Sequence, residues 1–303
     1  MRACAARLRV NGSVAVTSAG RAAGRVASGL RVGANRIALS RTRLLLDLLA
    51  PQRLYRYGAH RCQCADLQLP KGPGPHPVVV TIHGGAWAAG YGKLVMRGVA
   101  GDLVRRGWAT WNIEYRRVGR GQGGGWPNTF ADVASAIDHL AQLDAPLDLD
   151  RVTLLGHSAG GQLALWAAGR DRLPAGAPGA DPAIRGAAAI SQAGVNDLAS
   201  ACRETPGGGA VASLMGGSPD EVPERYALAD PIALLPLAMP VLLVHGTDDR
   251  TVSVRRSRNY AAAARGAGGA VELVELAGED GGHRRHVDPD SAAWASVTRW
   301  LER

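Results

Sequence analysis

From residue 77 to residue 301 short apolar runs alternate with longer stretches of helical spacing, and no other feature limits the fold so sharply. Residues 77–82 (PVVVTI) form a near-continuous apolar run between prolines and glycines, the pattern of a strand buried on both faces. Helical spacing over 94–106 stops at Gly107, where a C-terminal glycine is expected. Residues 108–115 read as the next strand. Residues 128–143 read as a helix with Phe130, Val133, Ala134, Ile137 and Leu140 on one face. A strand over 151–155, a helix over 159–169 and a strand over 186–190 follow. After an interruption come a strand over 241–245, a helix over 253–265, a strand over 271–276 and a last helix from about 289 to 301. Such alternation predicts an α/β fold with a mostly parallel central sheet and helices on both faces.

The interruption spans 192–238, which is rich in Gly and Pro and includes Pro206-Gly-Gly-Gly209 and Gly216-Gly-Ser-Pro219. A long irregular stretch inside a compact domain typically serves a site, for instance as a lid, and it is expected here as a short cap-like insertion.

Gly156-His157-Ser158-Ala159-Gly160 stands directly between the strand over 151–155 and the helix that follows. A tight strand-to-helix turn strains the serine backbone, and glycines two residues to either side let strand and helix pass closely. The serine Oγ is thereby exposed beside a helix N-terminus, whose amides favour developing negative charge. His83-Gly84-Gly85-Ala86-Trp87 follows the strand over 77–82; its glycines leave backbone N–H groups facing a cavity with no side chain between, as an oxyanion site requires. A serine at its ordinary pKa is a poor nucleophile and needs a histidine base and an orienting carboxylate. Asp248 and Asp249 follow the strand over 241–245 as candidate acids, and His283 and His286 follow the last strand as candidate bases. His245 is expected to pack at its strand end. Trp87 and Trp126 are candidate pocket walls, with burial in the core as the alternative reading. Glu114 and the pair Arg116-Arg117 either salt-bridge or face solvent, with a solvated face as the default expectation.

The formal net charge of +9 is confined to one end. Residues 1–46 hold nine arginines and no acid, which leaves 26 basic against 26 acidic residues beyond them. The body lacks the basic footprint that binding phosphates demands, so a nucleic-acid partner is excluded. No run approaches the roughly 18 apolar residues of a membrane span. Residues 1–52 read as a basic Arg/Ala/Gly-rich extension, partly disordered apart from one amphipathic helix permitted over 36–49. The catalytic domain is expected over 53–303. Asn11, Gly12, Ser13 and Arg21 interrupt every candidate signal core, so a cytoplasmic location is expected, or an organelle if 1–35 form a transit segment. Cys4, Cys62, Cys64 and Cys202 form no CxxC and read as free thiols; no metal site and no cofactor is expected.

The segments PVVVTIHGGAW, WNIEYRR with GGGWPNTFADV, LLGHSAGGQLALW, PVLLVHGTDDRTV and GGHRRHVDPDSAAW, in this order, resemble an α/β-hydrolase of the esterase and lipase superfamily. The similarity is greatest to small serine hydrolases with an HGGxW oxyanion motif, which include kynurenine formamidases and carboxylesterase-like proteins. It runs from about Tyr55 to the C-terminus. The resemblance implies Ser158 as nucleophile, Asp249 rather than Asp248 as acid and His283 rather than His286 as base. The backbone amides of Gly85, Ala86 and Ala159 are then the oxyanion donors. It implies a cofactor-free serine carboxylic-ester hydrolase whose partner is a small ester or activated amide, with an arylformamidase of the kynurenine-formamidase type as the alternative. A hydrolase-fold protein that binds without turnover is a third reading. Arg284 and Arg285 depart from the apolar residue expected after the histidine.

Overall fold

Strand β3 (His76–Ile82) shows how the sheet is buried: Val78, Val80 and Ile82 enter one core while Val79 enters another on the opposite side. Alternate side chains of a strand point to opposite faces, so an unbroken valine run needs cover on both. The computed structural model describes residues 52–303, and the expectations for residues 1–51 lie outside them.

Around β3 lie β1 (Arg53–Arg56), β2 (Cys64–Gln68), β4 (Ala109–Ile113), β5 (Leu147–His157), β6 (Ala188–Gln192), β7 (Val241–Gly246) and β8 (Val271–Leu276). The order across the sheet is β1-β2-β4-β3-β5-β6-β7-β8. β2 runs antiparallel to both neighbours, and all pairs from β4 to β8 are parallel.

Helices α1 (Arg97–Arg105), α2 (Asn128–Asp138) and α3 (Ala159–Ala168) cross between β3, β4, β5 and β6. Phe130, Val133 and Ile137 of α2 and Leu163 of α3 pack on the Val78–Val80–Ile82 side. Val99 and Leu103 of α1 join Val79 on the other side, where Trp294 and Val297 of the C-terminal helix complete the layer. The expected doubly covered, mostly parallel sheet is present.

Residues 192–238 differ from a structureless lid. They hold three short helices, α4 (Leu198–Arg203), α5 (Gly209–Met215) and α6 (Pro223–Ala229), whose Leu198, Leu214 and Tyr226 enter the core shared with α2 and α3. Gln162 and Trp166 of α3 donate to the carbonyls of Ala229 and Leu228 at 3.1 and 2.9 Å, which fastens the segment to the sheet's helical layer. After it come α7 (Arg255–Gly266) and α8 (Ala292–Leu301). Cys62, Cys64 and Cys202 are free and buried. Among the described residues no helix is long and apolar enough to cross a membrane.

Candidate active site

The C-terminal ends of β3, β5, β7 and β8 converge on one place, because parallel strands deliver their following loops to a single edge of the sheet. Ser158 lies between β5 and α3 with φ 56° and ψ −120°, a conformation that a residue with a Cβ adopts only when its surroundings force it. The forcing groups are backbone. A Cβ on Gly160 would collide with the carbonyl oxygen of Ile82 and stand 2.6 Å from that of His83, so α3 and β3 pass without room for a methyl. Gly160→Ala is therefore expected to lower the unfolding free energy by about 1–3 kcal/mol through overpacking. The check is a denaturant midpoint that falls at unchanged slope; an unmoved midpoint would contradict the close approach.

The His83–Trp87 loop lies against this turn. A Cβ on Gly84 would be 2.9 Å from the Ser158 Cβ. Gly85, Ala86 and Trp87 have φ of 114°, 53° and 54°, three successive left-handed residues that turn the chain sharply beside the serine. The loop is held from beneath. His83 Nδ1 lies 2.7 Å from the Gly84 carbonyl oxygen and Nε2 lies 2.9 Å from Glu114 Oε1. Tyr115 stacks on the His83 ring at 4.2 Å and its hydroxyl donates to the His83 carbonyl at 2.8 Å.

Glu114 corrects the solvated-face expectation. Its side chain is 12% exposed, and it also accepts from the backbone N–H of Lys93 at 3.1 Å. Burial alone would raise its carboxyl pKa; the hydrogen bond from His83, its charge and that of Arg117 outweigh burial and hold the group below the usual range. Arg116 makes a two-pronged pair with Asp132 at 2.8 and 2.9 Å. Trp87 needs a correction as well. It is 2% exposed and sits in the core, its Nε1 donating to Gln162 Oε1 at 3.2 Å, because its left-handed backbone turns the ring inward. Trp126 stays half-buried, with its ring edge-on to Phe130.

Asp249 and His283 meet. His283 Nδ1 is 2.7 Å from Asp249 Oδ2, and the Asp249 side chain is 0% exposed. Its other oxygen accepts from the backbone N–H groups of Thr251 and Val252 at 2.8 and 3.0 Å. Burial would raise this pKa too, yet hydrogen bonds and nearby histidines hold the carboxyl far below its ordinary range. Asp248 is exposed and accepts from the Gly278 N–H at 3.0 Å, bracing a turn instead of a histidine. His286 is buried, with no partner for either ring nitrogen, and burial pushes its pKa down to about 3. His245 packs at its strand end, with Nδ1 2.7 Å from Ser257 Oγ and Nε2 2.9 Å from the Val252 carbonyl. Arg285 pairs with Asp288, so its charge turns toward the start of the last helix. His157 Nε2 lies 2.9 Å from the His283 carbonyl and the two rings are 4.7 Å apart, which puts His283 beside the residue preceding Ser158. Among the described residues no group of three or more His, Cys, Asp or Glu is arranged to hold a metal.

The BD-FAE family model matches residues 65–263, more than half of the chain. The chain belongs to the BD-FAE family. The match includes the His83–Trp87 loop, Ser158 and Asp249, while His283 lies beyond it. Esterase LipQ of Mycobacterium tuberculosis is 32% identical over 209 residues, covering 66% of this chain and 48% of LipQ. The chain thus spans about half the length of the curated relatives it matches. A truncated carbohydrate esterase from gut microbiota superposes with a TM-score of 0.72 at 23% identity, over 84% of this chain and 96% of that one. Est2, a thermophilic esterase from Thermogutta terrifontis, gives 0.65 at 24% identity, over 83% and 90%. At these identities the likeness establishes the fold, and this BD-FAE chain has the α/β-hydrolase fold.

Proposed function

We propose that this BD-FAE member is a serine hydrolase that cleaves a small carboxylic ester through an acyl-enzyme. The observation that carries the reading is the 2.7 Å pairing of His283 with the buried Asp249, tied through His157 to the left-handed Ser158. With Nδ1 committed to Asp249, the Nε2 of His283 is the nitrogen free to take the Ser158 proton as Oγ attacks the ester carbonyl. The oxyanion then forms beside the amides of Gly85, Ala86 and Ala159. His283 returns the proton to the departing alkoxide, and water, deprotonated by the same ring, releases the acid. The names of LipQ and of the gut carbohydrate esterase support an ester substrate. The short, packed helices of 192–238 leave little bulk for a gating domain, which favours a small one.

A fluorophosphonate probe is expected to add to Ser158, located by peptide mass. Folded protein that remains unlabelled would sink the serine reading. A panel of short-chain aryl esters beside N-formylkynurenine then assigns the substrate. Faster turnover of the formamide would replace the ester reading with an arylformamidase.

A further inference from the structure

The turn His283–Val287 follows two glycines, Gly281 and Gly282, and a base on so pliable a segment needs to be held from outside it. Two side chains do so. His157 Nε2 is 2.9 Å from the His283 carbonyl oxygen. Gln192 Nε2 donates to the His286 carbonyl at 2.7 Å. These residues are the terminal residues of adjacent parallel strands and sit opposite one another in register, His157 on β5 and Gln192 on β6. Side chains at paired positions leave the sheet on the same face, so the two donors reach the turn together.

The same pair holds the nucleophile through the main chain. Ser158 directly follows His157, and its N–H donates to the Gln192 carbonyl at 2.8 Å. A backbone carbonyl can only accept, so His157 carries its proton on Nε2, and Nδ1 is a bare lone pair. That Nδ1 has no partner, and neither has Gln192 Oε1, although both are buried. A histidine and a glutamine placed only to fill space would not each leave one polar atom unpaired.

We propose that His157 and Gln192 are positioning residues that clamp the His283–Val287 turn onto the ends of β5 and β6, so that the sheet sets the geometry between Ser158 and His283. The inference rests on the serine-hydrolase reading and concerns how its base is placed. Both clamps donate without carrying charge. Burial, with the His283 and His286 rings close by, holds His157 well below its ordinary pKa, so the clamp itself adds no cation beside the imidazolium that His283 becomes.

The test compares wild type, His157→Phe, His157→Gln and Gln192→Met in the full chain, with kcat and KM for a short aryl ester, the fluorophosphonate labelling rate and the Tm. Phenylalanine keeps the ring and removes the donor, whereas glutamine keeps an amide N–H near the Nε2 position. His157→Phe is expected to lower kcat and the labelling rate by about 10- to 100-fold, the cost of a small misplacement, with KM within about threefold of wild type. His157→Gln should recover most of the loss, and Gln192→Met should lower kcat in the same direction. A folded His157→Phe with wild-type kcat and labelling overturns the proposal, as does a loss confined to KM or an equal loss in His157→Gln. Should His157→Phe fail to fold, Gln192→Met decides, because wild-type kcat there would also overturn the clamp. Wild type that does not label fails the underlying serine reading; wild type that labels beside unaffected variants fails the clamp alone.

Discussion

Ser158→Ala is expected to lower kcat for a short aryl ester by about 10⁶-fold and to abolish fluorophosphonate labelling. The size of the effect follows from what the hydroxyl supplies. Without Oγ no covalent intermediate forms, and the pair His283–Asp249, with its 2.7 Å hydrogen bond, is left with no proton to take. In the proposed mechanism, what survives is the slow attack of water on a carbonyl held near the Gly85, Ala86 and Ala159 amides. Folding should be nearly untouched, since alanine and serine bear the same Cβ at the same φ of 56°. Ser158→Gly makes the contrast: it too is inactive, but relief of the left-handed strain is expected to raise stability by about 1 kcal/mol. Pre-steady-state assays on carefully purified protein check the first claim. Retention of more than about a hundredth of wild-type kcat would assign the nucleophile elsewhere, because removal of a triad serine costs far more than that.

Strands buried on both faces were legible from their composition, which is why β3 and β7 stand where apolar runs predict them. β1 and β2 were not. RLYR is four residues with charged ends, and in CADLQ the buried Asp66 interrupts the apolar pattern because Lys93, far along the chain, neutralises it at 2.6 Å. Residues 192–238 hid their helices for a different reason. Segments of six or seven residues between glycines and prolines are too short to display a 3.6-residue period. At the site, order along the chain and strand-end position singled out Ser158 and narrowed the acid to Asp248 or Asp249 and the base to His283 or His286, and the resemblance alone chose within each pair. The groups beneath them were illegible because their partners are distant: Glu114 is defined by His83 and Lys93, and Trp87 by Gln162. The clamp from His157 and Gln192 is of the same kind. A polar residue at the end of an apolar strand was its only local signal, and that signal does not say what the side chain grips.

Two adjacent carboxylates make the sharpest discrimination available. Asp249→Asn is expected to lower kcat by about 10⁴-fold, while Asp248→Asn should stay within a few-fold of wild type. The asparagine would present an N–H to His283 Nδ1 where Asp249 now presents Oδ2, which selects the tautomer with hydrogen on Nε2. That nitrogen can no longer accept the Ser158 proton. Asp248 loses only its grip on the exposed Gly278 turn. A stability measurement separates the two residues independently of activity. The Asp249 carboxyl titrates below its unfolded value of about 3.9, so the stability it contributes is complete above that pH and is lost as pH falls through the folded value. Asp249→Asn should therefore unfold more readily than wild type at pH 7, with the gap narrowing below about pH 4. If Asp248→Asn proves the damaging change, the acid is the exposed carboxylate, and the buried 2.7 Å pair serves structure alone.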